Sequence, residues 1–117
     1  MIRQKDFLKR TLEDLGKVLA AALGFRKKGR NDQALQVLTE GCERLVGLPR
    51  NVLDALDVAS VSRMLNDALR IRLLARLLAA ESELDPSLKE RAIALFEEAA
   101  SREPLPDEDA EILRQLR

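Results

Sequence analysis

The sequence predicts an all-α fold in which two helical hairpins share one core, and three observations carry that expectation. The first is composition: of 117 residues, 46% are hydrophobic and 34% charged, with only 5 Gly and 4 Pro, which fits a packed helical chain and not a disordered one. The second is the choice of apolar residue. Leu and Ala outnumber Val and Ile, and the aromatics are three Phe with no Trp or Tyr, so the apolar side chains are those that lose least freedom in a helix. The third is periodicity, with apolar residues recurring every three or four positions along most of the chain. A chain of this length buries about two thirds of its unfolded surface and supports one core, so residues 1–117 read as one domain.

Over residues 4–28 the apolar row Leu8, Leu12, Leu15, Leu19, Ala22 and Leu23, widened by Phe7, Val18 and Phe25, gives one long amphipathic helix. Its basic last turn, Arg26-Lys27-Lys28, suits the negative end of the helix dipole, and Gly29 suits a left-handed cap. Asn31 is expected to cap a second helix carrying Ala34, Leu35, Leu38, Gly41, Cys42 and Leu45, which stops before Gly47-Leu48-Pro49. These two helices form hairpin one, about residues 4–46. Residues 51–57, with Val52, Leu53 and Leu56, supply a connector of one or two turns.

A long helix is expected next, capped by Ser60 or Ser62 and running to about Leu84. Its apolar residues, among them Val61, Leu65, Leu69, Leu73, Leu74, Leu77 and Leu78, cover more than one stripe, which places it at the centre of the domain. Asp85-Pro86 opens a further helix, because Asp accepts free amides and Pro has none to lose. That helix carries Ala92, Ile93, Leu95, Phe96, Ala99 and Ala100 and completes hairpin two, about residues 61–102. Pro104-Leu105-Pro106 stops it, and residues 107–116 form a capping helix with Ile112, Leu113 and Leu116 inward.

The second helices of the two hairpins share a small-large-small spacing. Ala34, Leu38 and Gly41 align with Ala92, Phe96 and Ala99 at an offset of 58 residues, and Pro104 follows the second set. This pattern resembles the tetratricopeptide repeat, in which small residues let neighbouring helices approach and a large one fills the groove between them. The opening Ile2-Arg3-Gln4, the segment Gly29-Arg30-Asn31-Asp32-Gln33-Ala34-Leu35 and Leu45-Val46-Gly47-Leu48 also resemble an uncharacterised bacterial family of small tetratricopeptide-like proteins. The resemblance implies an α-α superhelix-type array and leaves function open.

No residue set calls for catalysis. The chain has no His, which removes the usual general base and the usual zinc ligand. Its single Cys, Cys42, lies on an apolar stripe and reads as packing rather than as a nucleophile. The run Asp107-Glu108-Asp109-Ala110-Glu111 spaces carboxylates as a calcium loop begins, but Ile112 stands where such a loop needs Gly, so an acidic first helical turn explains it. Neither a cofactor nor a metal is expected. The longest apolar stretches fall short of a signal or membrane span, and the expected location is cytoplasmic.

Net charge is zero but unevenly spread. Residues 1–30 hold nine Lys or Arg against three acids, and residues 81–111 hold eleven acids against three bases. Opposite solvated ends of a helical stack account for this, with head-to-tail association or a basic docking surface as the sharper alternative. Arg3, Lys5, Lys9, Arg10, Lys17, Arg26, Lys27, Lys28 and Arg30 raise nucleic-acid binding as a rival. The lack of aromatic residues for base stacking and the neutral total argue against it.

The expected function is a non-enzymatic protein–protein interaction module, with self-association as the alternative. By the repeat resemblance the first helix of each hairpin lines a groove, which assigns Leu19, Leu23, Arg26 and Lys27 from one and Leu74, Leu77 and Glu81 from the other. Such a groove suits an amphipathic helix or an extended peptide. The carboxylate-clamping form of the groove needs Lys and Asn where Leu19 and Leu23 stand, so that ligand is not expected. The competing expectation is that the leucines complete the core or are covered by a second copy.

Overall fold

A computed structural model describes residues 2–117, with side chains from Asp6 onward. Among the described residues the chain is helical throughout: α1 (Ile2–Lys27), α2 (Asn31–Val46), α3 (Arg50–Ala55), α4 (Val58–Leu65), α5 (Ala68–Ser82), a 3-10 turn at Pro86–Leu88, α6 (Lys89–Arg102) and α7 (Asp107–Leu116). Two antiparallel pairs, α1 with α2 and α5 with α6, make most of the interhelical contacts, and α2 also packs on α5. Short helices α3 and α4 bridge the pairs, and α7 lies against α5 and α6.

Hairpin one closes by a Schellman turn. The amide of Arg30 donates to the Phe25 carbonyl at 2.8 Å and that of Gly29 to Arg26 at 2.9 Å, with Gly29 at φ 74°. Asn31 is the first residue of α2 rather than its cap; Arg30 holds that position without a side-chain bond. Where the two helices cross, a Cβ built on Gly41 would lie 2.7 Å from a Val18 methyl, so this glycine sets how closely α2 approaches α1. Ala34, Leu38, Cys42 and Val46 of α2 are also buried, while Leu35, expected on the same stripe, stays exposed.

The single long helix expected up to Leu84 is two helices. Asn66 takes a left-handed conformation at φ 47° and ends α4, and its amide donates to the Ser62 carbonyl at 2.9 Å. Asp67 then starts α5 by accepting from the Leu69 amide, also at 2.9 Å. Asn tolerates this backbone better than any non-Gly residue except Asp, so two adjacent residues suffice to stop one helix and begin another. The cap of α4 is Asp57, which accepts from the Ser60 amide at 3.0 Å, not Ser60 or Ser62. The expected central position does hold for α5, in which nine of 15 residues are buried.

Three arginines on the central hairpin tie the shorter segments down. Arg70 donates two hydrogen bonds to the Val46 carbonyl at the end of α2, at 2.9 and 2.6 Å. Arg91 reaches the Leu53 and Leu56 carbonyls at the end of α3, at 2.6 and 2.7 Å. Arg102 binds the Ser62 carbonyl in α4 at 2.8 Å and the Asn66 side chain at 3.1 Å. Each guanidinium supplies the donors that a helix C-terminus lacks and places positive charge at the negative end of its dipole. Helices of six and eight residues are too short to persist alone, and this anchoring together with burial of Leu53, Val61 and Leu65 fixes them.

Candidate interaction surface

The surface is built by a mismatch in helix length. Helix α1 has 26 residues and α2 has 16, so in an antiparallel pair joined by a three-residue turn the first helix outruns its partner by about 15 Å at 1.5 Å per residue. The amino-terminal part of α1 therefore projects as an arm beyond α2. Phe7 continues the row that buries Val18 against α2, but past the end of that helix, and is 66% exposed. Leu8 and Leu12, one position around the helix, are 40% and 37% exposed.

Beside the arm runs a cleft of about 480 Å³ whose walls are Leu8, Leu12, Leu15 and Gly16 on one side and Arg72, Arg76 and the start of α7 on the other. Its floor is held by charge. Asp109, buried in the first turn of α7, accepts from Arg72 Nε at 2.6 Å and Arg76 Nη1 at 3.0 Å, and exposed Glu108 accepts from Arg76 Nη2 at 3.1 Å. These bonds latch α7 to α5. The acidic run read as a helix start is therefore also a tertiary anchor, and no group of His, Cys, Asp or Glu among the described residues is arranged to hold a metal ion.

The groove expected between the first helices of the two hairpins does not assemble. Leu74 and Leu77 are 1% and 0% exposed and belong to the core. Glu81 is buried on a different side of α5, where it accepts two hydrogen bonds from Arg50 of α3, at 2.5 and 2.8 Å. Leu19 lines a hollow with Ala79, Ala80, Glu83, Ile112 and Leu116, so α7 occupies much of the space between α1 and α5. Leu23 and Lys27 stay exposed and Arg26 half-exposed on α1. The cause is register: on α5 the positions facing α1 and α7 are Arg72, Arg76, Ala79, Ala80 and Glu83, and the residues at 74, 77 and 81 point into the core and toward α3.

Arg50 and Glu81 form a second buried ion pair, between α3 and α5. Burial opposes the charged guanidinium, but its hydrogen bonds to Glu81 and Asp54 outweigh that and hold its pKa above the ordinary value. Cys42 lies beside the pair, and burial pushes its thiol up to about 11. A thiol so far from ionising is a poor nucleophile at neutral pH, in keeping with its reading as packing. No buried side-chain nitrogen or oxygen among the described residues lacks a hydrogen-bond partner.

The overhang follows from a difference in helix lengths that the expected helices, over 4–28 and from Asn31 to before Gly47, already contain. The cleft was not legible from the sequence, because it follows from where α7 docks. No helix among the described residues is long and apolar enough to cross a membrane. No family model, curated protein or solved structure matches this chain.

Proposed function

We propose that this protein is a non-enzymatic protein–protein interaction module, a tetratricopeptide-like array whose first helix presents the binding surface. The observation that carries the reading is the exposure of Leu8 and Leu12 at the wall of the cleft between α1 and the α5–α7 pair, with Phe7 and Leu23 also exposed elsewhere on α1. Contiguous exposed apolar surface rimmed by charge marks interaction sites, and here Lys9, Arg10, Glu13 and Lys17 provide the rim. The pairing of α1 with α2 and of α5 with α6, with Ala34, Gly41, Ala92 and Ala99 buried at the crossings, supports the array reading.

The test is affinity capture with the wild-type protein and with a Leu8→Glu, Leu12→Glu variant. Both positions are surface sites, so the variant's stability should lie within about 0.5 kcal/mol per substitution of wild type. A protein held at comparable stoichiometry by the wild type and lost from the variant is the expected result. Identical captured sets from both proteins would sink the reading.

A further inference from the structure

We infer that α7 is an internal competitor, seated where an amphipathic helix of a partner protein docks, and that the partner binds by displacing it. The inference rests on the reading of the α1 cleft as the interaction surface, and it names the occupant and its regulation. The seat is the side of α5 and α6 on which α7 lies, with α1 as its far wall. Helix α7 itself shows what the seat accepts. Asp109 sits between Arg72 and Arg76, and Ile112, Leu113 and Leu116, three, four and seven positions on, pack against the core. A carboxylate in the first turn followed by apolar residues at that spacing describes a helix laid into a groove.

Helix α7 fills the seat only in part. Two hollows run end to end along its α1 side, and Arg76 lines both. The one of about 260 Å³ lies between Leu19 and the row Ile112, Gln115 and Leu116. Side chains that face a hollow forgo the dispersion contacts of a close-packed interface, and larger apolar groups at 112 and 115 would recover them. The other hollow is the 480 Å³ cleft, where Pro106 lies opposite Leu8 and Leu12. There α7 stops, because its chain turns back to α6 through Pro104-Leu105-Pro106. A helix not tied to α6 can continue another turn along α1 and cover the two exposed leucines.

The hold on α7 is also weak. Two of its ten residues are buried, against nine of 15 in α5. A helix of ten residues does not persist alone, and no side chain caps its amino terminus. It stays docked through the Asp109 latch, the burial of Leu113 and the short tether of residues 103–106. Such a tether holds α7 at an effective concentration on the order of millimolar. A free helix of the same sequence therefore competes poorly, and one that fills the hollows competes well.

Two fluorescently labelled peptides test the inference: residues 104–117 in the native sequence, and the same segment with Ile112→Phe and Gln115→Phe. Each is titrated into the full-length protein by anisotropy, and hydrogen exchange is followed in the protein's own α7. The substituted peptide should bind the wild type at least about tenfold more tightly than the native one, and its binding should speed exchange in α7 while leaving α5 unchanged. Asp109→Asn in the protein removes the latch charge at nearly constant shape and should raise the affinity for both peptides about tenfold. The comparison of the two peptides on the wild type needs no variant protein. Equal affinity of the two peptides for the wild type, equal affinity of the wild-type and Asp109→Asn proteins, or binding that leaves α7 exchange unchanged would each overturn the inference. A dimer of the Asp109→Asn protein that binds no peptide would overturn it too, because α7 of a second copy would then take the seat. A wild type that captures a protein through Leu8 and Leu12 with no change in α7 exchange would overturn this inference alone and leave the interaction-module reading standing.

Discussion

Helices α1 and α5 are both long and rich in leucine, yet the structure uses them in opposite ways. Helix α5 is enclosed by α2, α4, α6 and α7, and its charged residues are held: Arg72 and Arg76 by Asp109, Glu81 by Arg50, and Arg70 by the Val46 carbonyl. Helix α1 packs on α2 and, along one further edge, faces α5 and α7, and the rest of its surface is open. Its leucines at 8, 12 and 23 remain exposed, and its lysines make no ion pair among the described residues. Leucine content alone therefore does not distinguish core from contact surface; the number of neighbouring elements does.

The same substitution should have very different consequences on the two helices. Leu77→Asp places an unpaired charge at a position with no exposure and should cost more than about 4 kcal/mol, enough to unfold a domain of ordinary stability. Leu23→Asp, at 45% exposure, should change monomer stability by less than about 1 kcal/mol. Urea titration of both variants, each at a concentration low enough to keep the chain monomeric, measures the contrast. Equal losses would mean that α1 is far better covered than the exposures indicate.

A smaller contrast lies within α1's own hairpin and should reverse sign. Gly41→Ala drives a methyl group into Val18 and should cost about 1–3 kcal/mol, since β-branched Val18 has little room to move. Gly16→Ala meets open space and should stabilise the monomer by about 0.5–1 kcal/mol through helix propensity. Melting curves of the two variants decide it. The sequence already separates the two glycines, because Gly41 falls on the apolar stripe of α2 and Gly16 falls off that of α1.

The last effect, absent at neutral pH, is a pH dependence carried by Cys42. Burial raises its thiol from an ordinary value of 9.0 to about 11, so the folded state keeps a proton that the unfolded state releases. The corresponding stability is fully present below pH 9 and is lost as pH rises from about 9 to about 11. Cys42→Ala should flatten the stability profile over that window relative to wild type, and urea midpoints at several pH values would show it. An unchanged slope would mean that the thiol is less enclosed than its neighbours Leu38 and Val46 imply.

Much of the fold was legible from the chain. Apolar periodicity and capping residues located α1, α2, α6 and α7 to within a few residues, because those signals are local: a Schellman glycine at 29, an Asp-Pro start at 85 and 86, and prolines at 104 and 106 act over a single turn. The division at Asn66-Asp67 escaped the reading for a related reason. Asn also occurs inside helices, so the sequence does not mark the break at 66, and Arg102, 40 residues away, adds a second donor to the Ser62 carbonyl there. The candidate site was less legible than the fold. The groove expected to join Leu23 and Lys27 with Leu74, Leu77 and Glu81 is not formed: the first two lie exposed on α1 and the other three are buried in α5.

What the sequence determined by itself was which segments are helical, which face of each is apolar, and that no His-based chemistry is available. Only the tertiary structure decided which apolar faces would be covered. Helix length and capping depend on neighbours one turn away, whereas the rotation of α5 that buries Leu74, Leu77 and Glu81 and the docking of α7 through Asp109 depend on contacts between residues far apart in the chain. A leucine stripe records that a helix has something to bury; the packing of the other helices determines whether this chain buries it or leaves it for a partner.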